Sequence, residues 1–229
     1  MHPAAVLWVV GGYLAGTFPT TMLVARAKRA RGLLAASSRG SGETDPHILM
    51  TRHLGVGWTA VAATLDVAKA LAYVLAARRW GGLEASWLSL VGVAVVLGHT
   101  FPFYASEMAG RGLAASAGVY LVLLPVQMVV AGLLIVAGAA ARNTGAAATA
   151  GMASVPVIAA IQGQPGPFVA MGVAVFAILM IRRLEGVGAV VRTGIPPVKA
   201  VVYRLLLDSS GPPQRSPGWQ GRPEETPPS

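Results

Sequence analysis

Six long apolar runs, separated by short segments that collect most of the charges, constrain the fold of this chain more than any other feature. The runs cover residues 4–27, 56–77, 85–104, 113–141, 144–161 and 168–181. Hydrophobic residues make up 54% of the chain and charged residues only 12%, whereas a typical soluble domain is about 25% charged. Because about 20 apolar residues suffice for one helix to cross a bilayer, we predict an all-α integral membrane protein and exclude a soluble enzyme.

The run 113–141 decides the number of predicted spans, because it is long for one helix and short for two. Pro125 lies near its middle and lacks the amide proton that a continuous helix needs. We therefore predict two short helices around Pro125, at 113–124 and 126–141, which turn back on each other as a hairpin. This division brings the prediction to seven transmembrane helices.

The distribution of Lys and Arg predicts how these helices are oriented. With seven spans, every Lys and Arg except Arg78, Arg79 and Lys69 lies on one side of the membrane. The positive-inside rule then places the N-terminus outside and the C-terminus in the cytoplasm. We interpret the basic residues that give the net charge of +9 as facing anionic lipid. Nucleic acid is not expected as a partner, because aromatic residues do not alternate with the basic ones.

Composition also divides the chain along its length. Residues 1–195 are predicted to form one membrane domain, and 196–208 an interfacial amphipathic segment whose charges are Lys199 and Arg204. The Pro- and Gly-rich stretch 209–229 is predicted to be a disordered tail. The sequence contains no cysteine, which excludes a disulfide framework, a Cys-ligated metal and a thiol nucleophile.

Several polar residues in and beside the spans are candidates for a binding site. Ser41 lies in a Gly- and Ser-rich loop that either forms a backbone nest for phosphate or is simply a flexible connection. Arg52, Arg111 and Arg142 either bind phosphate or anchor the protein at lipid headgroups. No metal-site spacing exists among the four histidines, so no metal is expected.

Two candidates lie inside or at the end of a span. Asp66 and Lys69 share one helical face, where they form an intrahelical ion pair or line an internal polar site. His99 precedes Pro102 at the end of a span, and a helix-end hydrogen bond is favoured for it over a role as base or ligand donor. The G-x-S-x-G elbow, the Walker loop and the His-x4-Asp pattern of soluble-type glycerolipid acyltransferases are absent.

An ordered set of short motifs runs along the chain. The motifs are Tyr13-Leu14-x-Gly16-Thr17-Phe18-Pro19, Gly40-Ser41-Gly42, Arg52-x-Leu54-Gly55, Asp66-x-x-Lys69, Gly98-His99-x-Phe101-Pro102, Gly110-Arg111-Gly112 with Ala114, Leu124-Pro125, and Arg142. Their order and spacing resemble those of the bacterial acyl-phosphate:glycerol-3-phosphate acyltransferases of the PlsY type. The resemblance implies a multi-pass protein of the bacterial plasma membrane that transfers an acyl group from acyl phosphate to glycerol 3-phosphate in phospholipid biosynthesis. It implies no metal or organic cofactor.

The resemblance also implies roles for individual residues. Ser41 and His99 fall at catalytic positions, with His99 expected to orient the neighbouring loop rather than to act as a base. The positions implied to bind substrate phosphate are Gly40, Gly42, Arg52, Lys69, Gly110, Arg111, Gly112 and Arg142. The partners that the resemblance implies are acyl phosphate and glycerol 3-phosphate, or a related acceptor, and the lipid bilayer.

The chain departs from the family pattern at several of these loops. The family's Gly-Ser-Gly-Asn-x-Gly-Ala-Thr-Asn continues here as Glu43-Thr44-Asp45-Pro46-His47, and its Lys-Gly-Gly-Lys-Gly is Met108 to Gly112 with Arg111 in place of a lysine. Both serines of the motif that begins at Arg142 are missing. An alternative hypothesis is therefore a catalytically degenerate member that binds lipids or another membrane protein. A small-solute transporter is a third hypothesis, against which the lack of an inverted repeat counts.

Overall fold

The computed structural model describes residues 3–30, 32, 45–104, 109–141, 143–185, 187–192 and 194–207, which form helices and turns without a strand. The helices are α1 (Pro3–Thr17), α2 (Thr20–Ala27), α3 (Pro46–Leu54), α4 (Val56–Trp80), α5 (Ala85–Thr100), α6 (Leu113–Leu123), α7 (Pro125–Ala140), α8 (Thr144–Ile161), α9 (Gly166–Leu184), α10 (Val187–Arg192) and α11 (Pro197–Val202). A π-helical turn follows at Tyr203–Leu207. The prediction of an all-α fold is confirmed for this part of the chain.

Within the described part of the chain, four helical segments are long and apolar enough to cross a membrane. They are Pro3–Ala27, which contains both α1 and α2, and the helices α4, α8 and α9. The helices α5, α6 and α7 are apolar but shorter, at 16, 11 and 16 residues. Large apolar side chains remain exposed on these helices, such as Leu7 at 72% and Leu133 at 66%. Such surfaces are stable against lipid rather than against water.

The break predicted at Pro125 is present between α6 and α7. Leu124 adopts φ −140° and ψ 56°, and Pro125 occupies the first position of α7, where its missing amide proton is not needed. α6 packs mainly against α4, whereas α7 packs mainly against α8. The two short helices contact each other less than they contact these neighbours, so the expected hairpin is not the main packing unit here.

Glycines bring α1 and α5 into close contact. A Cβ at Gly16 would overlap the carbonyl of Val95, and one at Gly98 would overlap the carbonyl of Tyr13. Small residues at such crossings let two membrane helices approach at backbone distance. The Tyr13 hydroxyl also donates to the Phe101 carbonyl at 2.8 Å. These contacts fix the C-terminal end of α5, which carries His99, against α1.

The C-terminal segment donates hydrogen bonds to backbone carbonyls at the carboxyl end of α9. Arg204 is buried on the π-helical turn, and its Nη2 donates to the Glu185 carbonyl at 2.6 Å. Its Nε lies 3.3 Å from the Arg183 carbonyl. The last carbonyls of a helix lack partners within it, so Arg204 satisfies them.

Lys199, the other charge of the predicted interfacial segment, is exposed. The interfacial position of segment 196–208 and the domain 1–195 stay predictions, and the tail 209–229 lies outside the described residues.

Candidate active site

Asp66 is the centre of a polar network buried between α2, α4 and α5. Its Oδ1 accepts a hydrogen bond from the Thr20 hydroxyl and pairs with Lys69 Nζ at 2.8 Å. His99 Nδ1 lies 3.4 Å from the same oxygen. The Asp66 side chain is fully buried. The expected intrahelical ion pair between Asp66 and Lys69 is therefore present, and it is part of a larger network.

Lys69 also forms a hydrogen bond at the break between α1 and α2. Pro19 interrupts the helix, and the Phe18 carbonyl accepts there from the Thr20 amide at 3.0 Å and from Lys69 Nζ at 2.7 Å. The same Nζ lies 3.2 Å from His99 Nδ1. Lys69, expected at a phosphate-binding position, thus lies behind His99 and is not among the residues that line the cavity described next.

A cavity of about 550 Å³ opens beside this network. It is lined by Asp45, His47, Ile48, Thr59, Ala63, His99, Arg111, Gly112, Leu113, Ala114, Thr144, Gly145, Ala148, Leu179 and Arg183. Two arginines and two histidines on its wall favour anionic ligands, while the aliphatic residues supply an apolar side. Among the described residues, no group of three or more His, Asp or Glu side chains is placed to hold a metal ion.

His99 lies between the polar network and the loop that carries Arg111. Its side chain is only 6% exposed, and a Cβ at Gly110 would overlap the imidazole ring. Gly110 therefore lets the backbone of this loop rest directly on His99. Gly112 adopts φ +90° at the start of α6, a conformation that side chains rarely tolerate. Both glycines set the path of the backbone on either side of Arg111. The role of His99 in orienting this loop stays a prediction.

α3 contributes two ionisable residues to the cavity wall, Asp45 at its N-cap and His47 in its first turn. Asp45 caps α3, because its Oδ1 accepts from the His47 amide at 2.8 Å, and its Oδ2 lies 3.1 Å from Arg111 Nε. His47 Nε2 lies 3.4 Å from Asp66 Oδ2. Burial lowers the pKa of His47, but attraction to the carboxylates of Asp66 and Asp45 offsets this, and its pKa is raised above 6.5. His47 therefore carries positive charge beside the cavity over a wider pH range than an exposed histidine.

Two consecutive arginines at the end of α9 are buried. Arg183 lines the cavity and donates to the Thr149 hydroxyl and, at 2.9 Å, to the Leu205 carbonyl. Arg182 donates from Nη2 to the Ala109 carbonyl at 3.1 Å and pairs with Glu185. Arg182 thus anchors the loop before Gly110, and Arg183 contributes a cation to the cavity wall.

The expected site residues fall into three groups. Arg111, Gly112 and His99 line the cavity, and Gly110 contacts His99. Arg52 is exposed on α3 and is not among the lining residues. Lys69 lies behind His99 and is also absent from the lining. The other four expected residues lie outside the described part of the chain: Gly40, Ser41, Gly42 and Arg142. Convergence of the whole set therefore stays a prediction.

Three ionisable lining residues were not selected from the sequence, namely Asp45, His47 and Arg183. Asp45 followed by Pro46 is a helix-start signal, an N-cap residue before proline, which indicates α3 inside the polar loop. Arg183 is one of two arginines at the end of an apolar run, a pattern equally typical of a topogenic charge. Only the burial of Arg183 in the structure distinguishes it from a topogenic charge.

The apolar helices, together with the cations beside the cavity described above, are typical of an integral membrane protein whose cavity suits an anionic ligand. Residues 6–192 match the family model described as glycerol-3-phosphate acyltransferase, and the chain belongs to this family. The family resemblance inferred from the motifs is therefore confirmed.

Individual relatives agree with this assignment. A glycerol-3-phosphate acyltransferase of Rubrobacter xylanophilus is 33% identical over 189 residues, which cover 82% of this chain and 92% of the relative. Glycerol-3-phosphate acyltransferase 4 of Dehalococcoides mccartyi (strain 195) is 31% identical over 73% of this chain and 89% of its own. Glycerol-3-phosphate acyltransferase 1 of Deinococcus radiodurans is 36% identical, but the match spans only 61% of that relative and 55% of this chain.

The fold is also that of a solved structure. The crystal structure of PlsY, an integral membrane glycerol 3-phosphate acyltransferase, in its glycerol 3-phosphate form has a TM-score of 0.70 to this chain. The sequences are 22% identical, and the match covers 86% of this chain and 98% of the other. A second structure, the lysophosphatidic acid form, gives a TM-score of 0.69. At this identity, the similarity is one of fold.

Proposed function

We propose that this protein is a multi-pass acyltransferase of the bacterial plasma membrane that acylates glycerol 3-phosphate with acyl phosphate in phospholipid biosynthesis. Membership of the glycerol-3-phosphate acyltransferase family supports this function over the catalytically degenerate alternative. The structural observation that carries it is the cavity into which Arg111, Arg183, His47 and His99 face from four different helices or loops.

The reaction needs mainly charge stabilisation and positioning. The 1-hydroxyl oxygen of glycerol 3-phosphate attacks the acyl carbonyl carbon, a new ester C–O bond forms, and the C–O bond to phosphate breaks. Inorganic phosphate leaves, and the hydroxyl proton passes to a phosphate oxygen of a substrate. The arginines Arg111 and Arg183 would neutralise the phosphate groups through planar, multi-donor contacts. Acyl phosphate is already activated, so the mechanism requires no strong protein base.

The remaining expected residues take supporting roles in this proposal. Ser41, with Gly40 and Gly42, would contact phosphate through hydroxyl and backbone groups, and Arg142 would add charge. Arg52, exposed on α3, would meet the anionic substrate or the lipid surface at the entrance. Lys69 would act through the network behind His99, and Gly110 and Gly112 would shape the loop of Arg111.

The proposed topology has seven spans. The four long segments and the three shorter apolar helices together supply seven candidates. The N-terminus would lie outside and the C-terminus in the cytoplasm, as the distribution of Lys and Arg requires. Cytoplasmic substrates would then reach the cavity from the side on which the polar loops lie.

The direct test is product formation by purified protein. Wild type mixed with acyl phosphate and glycerol 3-phosphate should form lysophosphatidate and release inorganic phosphate in equal amounts. Arg111→Gln and Arg183→Gln should each raise the KM for glycerol 3-phosphate, whereas Arg79→Gln, an exposed charge remote from the cavity, should match wild type. Folded wild-type protein that forms no lysophosphatidate under these conditions would contradict the proposal.

A further inference from the structure

Asp45 is the one carboxylate among the described residues that line the cavity. A carboxylate beside a site for phosphate opposes binding unless a cation holds it. Its Oδ2 lies 3.1 Å from Arg111 Nε, and the two side chains are only 12% and 10% exposed. An ion pair screened from solvent in this way orients its partners more firmly than an exposed pair does.

The other groups around Asp45 hold it in place. Its Oδ1 accepts from the His47 amide at 2.8 Å and lies 3.7 Å from the His47 ring. The same ring reaches the buried carboxylate of Asp66, with 3.4 Å between Nε2 and Oδ2. A continuous line of alternating charges thus runs from Asp66 through His47 and Asp45 to Arg111. Its inner end is fixed within the helices, and its outer end is the guanidinium at the cavity.

The backbone of Arg111 is already fixed on both sides. Gly110 rests on the His99 ring, and Gly112 holds the left-handed turn that starts α6. The long side chain of Arg111 retains several rotatable bonds beyond this fixed backbone. Contact through Nε leaves the planar end of a guanidinium in a defined orientation, which is what selective binding of a phosphate group requires.

We propose that Asp45 is a positioning residue that fixes the Arg111 guanidinium for the anionic substrate and thereby sets the affinity for glycerol 3-phosphate. This inference rests on the proposed function for the identity of the substrate. Asp45 does not touch reacting atoms, and it acts through Arg111. Loss of its charge should therefore weaken substrate binding and leave the chemical step largely intact.

Two substitutions separate this role from the cap of α3. Asn and Ser are N-cap residues about as good as Asp, so Asp45→Asn and Asp45→Ser keep the cap while they remove the charge. Both variants should fold, and because each removes the same charge beside His47 and Arg111, they should lose Tm equally. In both, the KM for glycerol 3-phosphate should rise about tenfold, the effect of losing one well-placed charged contact, with a much smaller change in kcat. Glu84→Gln, the same loss of a carboxylate at the opposite end of α5, is the matched control and should leave both constants unchanged.

A double variant tests whether Asp45 acts through Arg111. Because the two residues would act as one unit, Asp45→Asn should add little to the rise in KM that Arg111→Gln already causes. Fully additive effects would overturn the proposal. So would an unchanged KM in both Asp45 variants, or a lowered KM, which would mean that the carboxylate competes with substrate for Arg111.

A binding measurement keeps this test independent of the proposed reaction. Stabilisation of the detergent-solubilised protein by glycerol 3-phosphate and by inorganic phosphate is followed as a rise in Tm for wild type and Asp45→Asn. Weaker stabilisation of Asp45→Asn supports the positioning role even if wild type transfers no acyl group, an outcome that would refute the proposed function alone. Equal stabilisation of both proteins overturns the role of Asp45.

Discussion

Gly110 lies directly against the His99 ring because it has no side chain. A Cβ at this position would overlap the His99 imidazole, which is held from the other side by Asp66 and Lys69. We therefore expect Gly110→Ala to displace the loop of Arg111 and to lower kcat/KM by about 100-fold, the loss that a shift of about 1 Å can cause. Steady-state kinetics of the purified variant check this. Gly132→Ala, where nothing lies within 4 Å, should keep wild-type activity, and equal activity of the two variants would contradict the steric argument.

His47 makes stability depend on pH in a defined direction. Its pKa is raised above 6.5 in the folded state, because the carboxylates of Asp66 and Asp45 outweigh the effect of burial and of nearby Lys69. The stabilisation is therefore fully present below the unfolded-state pKa and is lost as pH rises through the folded-state pKa. Wild-type Tm should therefore fall as pH rises above about 6.5, the unfolded-state pKa of histidine, and through the raised pKa of His47. His47→Gln should show a smaller fall, and an identical profile would refute the assignment.

At the scale of elements, the crossing of α1 and α5 is the contact that places the site. Gly98 meets the Tyr13 backbone, which cannot move aside as a side chain can. Gly98→Ala should lower the free energy of unfolding by about 3 kcal/mol, at the upper end of the cost of overpacking a helix contact. Thermal unfolding in detergent measures this loss. Gly57→Ala on α4, where nothing lies within 4 Å, provides the comparison, and equal Tm values would show that the crossing tolerates a methyl group.

Hydropathy predicted the membrane helices well because burial in lipid depends on composition over about 20 residues. The break at Pro125 followed from one residue, since proline removes a helical hydrogen bond wherever it falls. α3 was not predicted, although Asp45 and Pro46 carry its start signal, because it lies in a polar loop with little apolar content. Helices that are stabilised by contacts rather than by hydropathy leave weak signals in sequence.

The site itself was only partly predictable. His99 and Arg111 stood out through their motifs, but the contact of Asp45 with Arg111 joins two loops far apart in the chain. The same holds for Arg183, whose bond to the Leu205 carbonyl depends on a segment that follows the last span. Such partners are brought together by helix packing, and no local pattern in the sequence encodes them.

At the scale of the whole molecule, the orientation in the membrane is the property to test first. The loop 28–55 and the C-terminus are expected on the same, cytoplasmic side, because nearly all Lys and Arg fall on that side in a seven-span arrangement. Reporter fusions at Gly40 and at Ser229 should both give a cytoplasmic signal, and a fusion after Gly81 should give the opposite one. Opposite signals from Gly40 and Ser229 would rule out seven spans.

The bond between Lys69 and the Phe18 carbonyl has a consequence for biosynthesis. Its partners are 51 residues apart, so the interrupted first run leaves the ribosome well before its donor has been translated. Until then the Phe18 carbonyl accepts from the Thr20 amide but not from Lys69. Because the missing second bond weakens polar pairing inside lipid, the first run should be held less firmly in the bilayer before α4 follows it. Nascent chains of the Lys69→Met variant should release their first run more readily on alkaline extraction than chains of Arg79→Met. Equal retention would mean that the early part of the protein inserts without help from the later part.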